Sequence, residues 1–343
     1  MPQICHVHAV SVLCDDYRQG IAEAMENPSL IDELMLKIAE HYGVDGLRIF
    51  LTPDAVKVKD DGETMVAFDG ETGKRLGRVD LLGGAAVIPD EEGMRIETAE
   101  EVKKIPHVRC EDLLKTAPYE RLRKSTKRAH EMGFFVASAP TDYVIKAVIR
   151  YRGREQTYVD LLTEPDLVKR IMEAELANAI EVSRALIKCG IDAIYTGDPS
   201  SSCSLISPGQ WEEFCLPIFK ALCKEVHKEG VMVYMHICGN AKPILEMMAD
   251  TGADCIEPLD PLGGVEVADA KRRVGNRVAL MGGVNTLTLS QGSAEEVYEE
   301  AMACCRDGGG GGGYILAAGD MVPDHSPEEN VKALVKAARD SRY

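Results

Sequence analysis

The chain has 343 residues, 45% hydrophobic and 28% charged, a balance that supports a large buried core and the length of an α/β barrel. Its 39 basic and 56 acidic residues give a formal net charge of −17, which disfavours nucleic acid or an anionic membrane as partner, because both need a basic face. The 11 cysteines, with no basic and apolar leader ahead of them, predict a reducing, cytoplasmic setting, and no apolar run reaches the ~20 residues of a membrane span.

In chain order, "ICHVHAVSV" (4–12) reads as a first strand, its alternation placing His6 and His8 on one face. "SLIDELMLKIAEHYG" (29–43) reads as a helix and "DGLRIFLTP" (45–53) as a second strand. Residues 54–90 alternate apolar and polar positions around "DGET" turns, which predicts an antiparallel β-hairpin insertion after strand two. Six short apolar runs follow, at 133–140, 192–199, 231–239, 254–261, 277–284 and 313–320, each ending in Gly, Pro, Asp or Val as buried parallel strands do. Between them lie amphipathic helices such as 165–190 and 207–230, the second opened by Ser207 as N-cap and Pro208 at the first helical position. Cys304 and Cys305 fall in a helical pattern and are expected to pack, and "GGGGGG" (308–313) is a flexible approach to the last strand. The count of about eight strands predicts a (β/α)8 TIM barrel with the whole chain, 1–343, as one domain and 54–90 inserted in it. An open doubly wound sheet is the competing architecture.

Chemistry in such a barrel gathers at the C-terminal ends of the strands. Those ends carry His6, His8, Asp198, His236, Cys238, Glu257, Asp260, Asn285 and Asp320. Asp198 and Asp260 read equally well as helix or loop caps. The stretch "VMVYMHICGN" (231–240) is more pointed, because His236 and Cys238 are two apart and leave the strand on the same side before Gly239 turns the chain. Imidazole nitrogen and thiolate are preferred zinc donors, and two such ligands plus one from elsewhere leave a position open for substrate.

The order of "YTGDPSSSCSLISPGQWEEFCLPIFKAL", "VMVYMHICGN", "LDPLGGVEVADAKRRVGNRVALMGGVNT" and "GGYILAAGDMVPDHSPEENVKALV" resembles the uroporphyrinogen decarboxylase superfamily from about Asp192 to the C-terminus. The "HICGN" pentapeptide resembles its corrinoid-dependent branch, the methylcobalamin:coenzyme M methyltransferases. The resemblance implies a (β/α)8 barrel with a catalytic zinc, and it matches His236 and Cys238 to two of the three ligands. The branch usually has a cysteine at the third position and true decarboxylases a histidine; here "ILAAGD" places Asp320 there. A carboxylate is an acceptable zinc ligand of the same formal charge as a thiolate, but harder and less electron-donating. The decarboxylase reading also lacks its "RQAGR"-like arginine segment, since "ICHVHAVSVLCDDYRQG" offers only Arg18.

These residues lead to a zinc-dependent methyltransferase that exchanges methyl between a separate corrinoid protein and a small methyl donor or acceptor. His236, Cys238 and Asp320 hold Zn2+; Glu257, Asp198 and His8 serve catalysis; Tyr195, His6 and Asn285 meet the substrate. No D-x-H-x-x-G corrinoid-binding segment is present, so methylcobalamin must arrive on a partner, and a homodimer stands beside the monomer as an open assembly. A metal-free lyase of the same superfamily and a tetrapyrrole-binding protein are the rival readings.

Overall fold

A computed structural model of the chain describes residues 6–51, 56–70, 72–80, 86–89 and 93–341. Strand β1 (Gly46–Arg48) comes first, followed by β2 (Val56–Asp60), β3 (Met65–Asp69), β4 (Arg75–Asp80) and β5 (Ala86–Pro89). The remaining strands alternate with helices: β6 (Phe135–Ser138), β7 (Ala193–Gly197), β8 (Met232–His236), β9 (Cys255–Leu259), β10 (Ala279–Val284) and β11 (Tyr314–Ala318).

Seven of these strands form one parallel sheet in the order β1-β6-β7-β8-β9-β10-β11. The order follows the chain without reversal, so the sheet winds in one direction as a barrel does, unlike a doubly wound sheet with its switch point. It also curls, since Asp45 ahead of β1 and Ile315 in β11, at opposite edges, line the same cavity of about 380 Å³ inside its lower end. Among the cavity's lining residues Ala193, Cys255 and Ala279 are small, beside the larger Phe135, Tyr234 and Met281. The architecture is therefore α/β and TIM-barrel-like, with seven strands in the sheet.

The expected first strand is a helix, His6–Leu13. The sequence "HVHAVSVL" fits both periods, and as a helix it buries Ala9 and Val10 fully. His6 and His8 therefore do not sit at a strand end. The helix packs on its neighbour Pro28–Tyr42, and His8 Nε2 lies 3.0 Å from the Tyr42 hydroxyl.

β2 to β5 build a four-stranded antiparallel sheet in sequential order, larger than the single hairpin expected. Its turns follow from the "DGET" repeats: Asp61 Oδ1 accepts from the Glu63 and Thr64 amides at 3.0 and 2.7 Å, and Asp69 Oδ1 from the Thr72 amide at 2.6 Å. Arg18 on the helix Tyr17–Glu26 pairs with Asp60, and Glu26 accepts the Val58 amide at 2.8 Å, which fastens this sheet to the N-terminal helices.

Helix starts obey their local chemistry. Ser207 and Gln210 form a capping box with Pro208 inside it, and the chain continues through a π-helical turn, Trp211–Cys215, into Leu216–His227. Cys304 and Cys305 are buried within the helix Ala294–Gly309. No helix among the described residues is long and apolar enough to cross a membrane.

Candidate metal centre

Parallel register brings the functional strands level at one end of the sheet. His236, the last residue of β8, pairs with Gly197 of β7 on one side and Glu257 of β9 on the other. A Cβ on Gly197 would lie 2.0 Å from the His236 carbonyl oxygen, so only glycine lets β7 run that close. Gly239, at φ +79°, turns the chain immediately after Cys238 against the Ser202 and Ser204 hydroxyls. Asp320 arrives from the loop that follows β11.

Donor atoms of His236, Cys238 and Asp320 all lie within 4.8 Å of one another. His236 is buried and its Nδ1 is 2.9 Å from Glu257 Oε1. An ionised carboxylate can only accept, so Nδ1–H donates to Glu257, and Nε2 is the nitrogen directed at Asp320, 3.8 Å from its Oδ1. That separation is too long for a hydrogen bond. It is slightly longer than the roughly 3.3–3.6 Å that zinc bonds of about 2.0–2.2 Å set between tetrahedral nitrogen and oxygen ligands, and so near the spacing of two ligands of one ion. The carboxylate on the far side of the imidazole is the usual support of a metal-binding histidine. One nitrogen, one sulfur and one oxygen donor fit zinc.

Electrostatics of the metal-free site agree with this arrangement. Burial alone would pull the His236 pKa down, but Tyr195, Glu257 and hydrogen bonds to Cys238 and Glu257 outweigh it and hold the ring well above the ordinary histidine range. A metal bound here would displace a proton.

The other expected site residues divide. Tyr195 faces the centre, with its ring 5.6 Å from the His236 ring. Asp260 accepts the Leu262 amide at 2.8 Å, and burial, with Asp320 nearby, raises its pKa. Asp198 is buried and caps the loop, taking the Ser200 amide at 2.9 Å and the Lys146 amide at 2.7 Å; burial pushes its pKa up to about 6. Asn285 caps the helix Thr286–Gln291 through the Leu287 amide at 2.8 Å. His8 has both nitrogens engaged away from the metal ligands, Nδ1 at 2.9 Å from the Asp324 carbonyl and Nε2 on Tyr42. The side chain of His6 is outside the described residues.

Two residues were not anticipated. Arg48, at the end of β1, is buried with its guanidinium 4.7 Å over the Tyr195 ring and 3.7 Å from Glu257 Oε1. Phe50 lies beyond it, 5.6 Å from the same guanidinium. The only signal in the sequence was a charge inside the apolar run "DGLRIF". Phe50 is also one of five large apolar side chains, with Leu205, Leu262, Leu287 and Met321, that are 42–55% exposed in the segments that follow the strands at this same end.

The model of the family "Uroporphyrinogen decarboxylase (URO-D)" matches residues 85–341. A methylcobamide:CoM methyltransferase of Methanosarcina barkeri is 31% identical over 183 residues, 53% of this chain and 51% of that protein. A methylated-thiol–coenzyme M methyltransferase of Methanosarcina mazei is 26% identical over 180 residues, 52% and 46% of the two chains. A uroporphyrinogen decarboxylase of Trichodesmium erythraeum is 29% identical over 252 residues, 72% and 66% of the two. The chain thus spans about half the length of the methyltransferases it matches. A solved methyltransferase structure from Methanosarcina mazei superposes with a TM-score of 0.72 at 21% identity, covering 99% of this chain and 93% of that one, and so shares the fold. With the family model spanning most of its length, the chain belongs to the uroporphyrinogen decarboxylase family.

Proposed function

We propose that the protein is a zinc-dependent methyltransferase that moves a methyl group between a separate corrinoid protein and a small-molecule substrate. The observation that carries this reading is the convergence of the His236, Cys238 and Asp320 donor atoms within 4.8 Å, with Glu257 occupying the second nitrogen of His236. Zinc, when bound, supplies Lewis acidity: it lowers the pKa of a methyl-accepting group or polarises the heteroatom that carries the methyl. The chain's residues do the rest. Glu257 fixes the histidine tautomer so that Nε2 points at the site. Tyr195 forms a partly buried wall beside it and restricts where substrate can lie. The exposed apolar side chains around the same end offer a surface on which a corrinoid carrier can seat and exclude water from the transfer.

A three-residue donor set leaves a coordination position for substrate, as catalytic zinc sites do. The similarity to methylcobamide:CoM methyltransferases favours a corrinoid as the other methyl carrier over decarboxylation of a porphyrinogen. Protein purified without chelator is expected to hold about one zinc per chain. Cys238→Ala is expected to lose that metal while keeping its secondary structure, because Cys238 sits on a surface loop rather than in the core. Full zinc retention in this variant would remove the ligand assignment. Methyl transfer from a methylated corrinoid protein, measured with and without the metal, then tests the reaction.

A further inference from the structure

We infer, resting on the metal-site reading above, that Arg48 is a positioning residue of this centre, acting through Glu257 on His236. β1 is a strand of three residues at the edge of the sheet, paired among the described residues with β6 alone. Its neighbours Leu47 and Ile49 are buried in the main core on the outer face of the sheet, so strand alternation sends Arg48 into the barrel interior. There it is 5% exposed. Four side chains close a circuit. Arg48 is 3.7 Å from Glu257 Oε1, Glu257 is 2.9 Å from His236 Nδ1, the His236 ring is 5.6 Å from that of Tyr195, and the Arg48 guanidinium lies 4.7 Å over Tyr195. The circuit joins β1 to β9, β8 and β7 across the interior, linking strands that are not neighbours in the sheet.

Each contact has a physical reason. Glu257 is fully buried, and a buried carboxylate needs a cation or several donors beside it. His236 supplies one donor and Arg48 the cation. A planar guanidinium can lie flat on Tyr195 and face Glu257 at once, whereas a lysine ammonium would keep the charge but lose the stack. Charge counting separates Arg48 from the metal ligands. Zinc is balanced by the Cys238 thiolate and the Asp320 carboxylate, which leaves Arg48 to balance Glu257.

This gives the test its sign. Removing Arg48 leaves an extra negative charge near a cation site, which by Coulomb attraction alone would tighten metal binding. A fall in affinity in Arg48→Met therefore reports lost geometry at Glu257 and His236. Zinc affinity, measured by competition with a chelator, is expected to drop about tenfold in Arg48→Met and less in Arg48→Lys, against 10–100-fold for Glu257→Gln. In the Arg48→Met/Glu257→Gln double variant, which removes both members of the charge pair, the Arg48 change is expected to add nothing further. Unchanged or tighter zinc binding in Arg48→Met, or losses that add in the double variant, would overturn the inference, as would a raised substrate KM with zinc affinity intact. If wild type binds no zinc, the metal reading fails, but Arg48 is still decided by the metal-free protein. A hydrogen-bonded imidazole Nδ1–H resonance from His236 is expected in wild type and Arg48→Lys and lost in Arg48→Met; its persistence in Arg48→Met refutes the positioning role.

Discussion

At Asp320 the chain offers an oxygen where the methyltransferase branch it resembles usually offers a second thiolate. Its carboxylate is partly exposed, takes the Met321 amide at 2.8 Å through Oδ1, and stands 3.8 Å from His236 Nε2. Oxygen donates less charge than sulfur, so a metal held by His236, Cys238 and Asp320 is a stronger Lewis acid than one held by two cysteines. That favours polarising a heteroatom from which methyl departs over sharpening a bound thiol for attack. Asp320→Cys is expected to keep zinc and to raise the rate with thiol acceptors severalfold relative to wild type. Loss of zinc, or an unmoved acceptor preference, would remove the basis for this preference.

The helix His6–Leu13 shows how much of the molecule the sequence disclosed and where it misled. The seven runs that became the parallel sheet were legible because a short apolar run between helices has few other homes, and His236-x-Cys238 was legible because the spacing itself places both donors together. "HVHAVSVL" was not, because eight residues satisfy periods of 2 and 3.6 alike, and its packing on the helix Pro28–Tyr42 is a tertiary contact that no local pattern announces. Asp198 and Asn285 were ambiguous for a related reason: a carboxylate or amide at a strand end is as useful to a helix N-terminus as to a substrate. Arg48 had no periodic signature at all. His8 now reads as part of the frame, holding the loop after β11 through the Asp324 carbonyl while Ser11 bonds the same oxygen. Burial lowers its pKa, against the pull of the Asp324 and Pro323 carbonyls. The unfolded chain, with an ordinary histidine near 6.5, then binds the proton more tightly than the folded one. The stability His8 contributes is complete above that value and declines as pH falls through and below it. His8→Phe cannot titrate, so its Tm is expected to fall less steeply than that of wild type between pH 7 and 5. Parallel slopes in the two proteins would show that His8 does not titrate on unfolding.

On the scale of the whole molecule, the barrel-like frame sets a narrow chemical centre inside a broad apolar rim. Phe50, Leu205, Leu262 and Met321 come from the loops after β1, β7, β9 and β11, and Leu287 from the first turn of the helix after β10, all at the end of the sheet that carries His236, Cys238 and Asp320. Single exposed apolar side chains are ordinary, but five large ones at the functional end of one sheet suit the docking surface proposed above. A net charge of −17 disfavours nucleic acid as its occupant. Leu205 and Leu262 belong to loops that pack against the turn after Cys238, the Cys203 amide donating to the Asn240 carbonyl at 2.9 Å and Gly263 lying against the Gly239 carbonyl. Replacing either by glutamate puts a charge into the interface while touching no metal ligand. Leu205→Glu and Leu262→Glu are each expected to raise the KM for the methylated corrinoid protein about tenfold or more, the loss typical of a central apolar anchor. Zinc content and Tm should stay at wild-type values, and kcat/KM with free methylcobalamin should change little, because a small corrinoid does not need the rim. Equal losses with free and protein-bound corrinoid would place the two leucines in the pocket instead of on a docking surface.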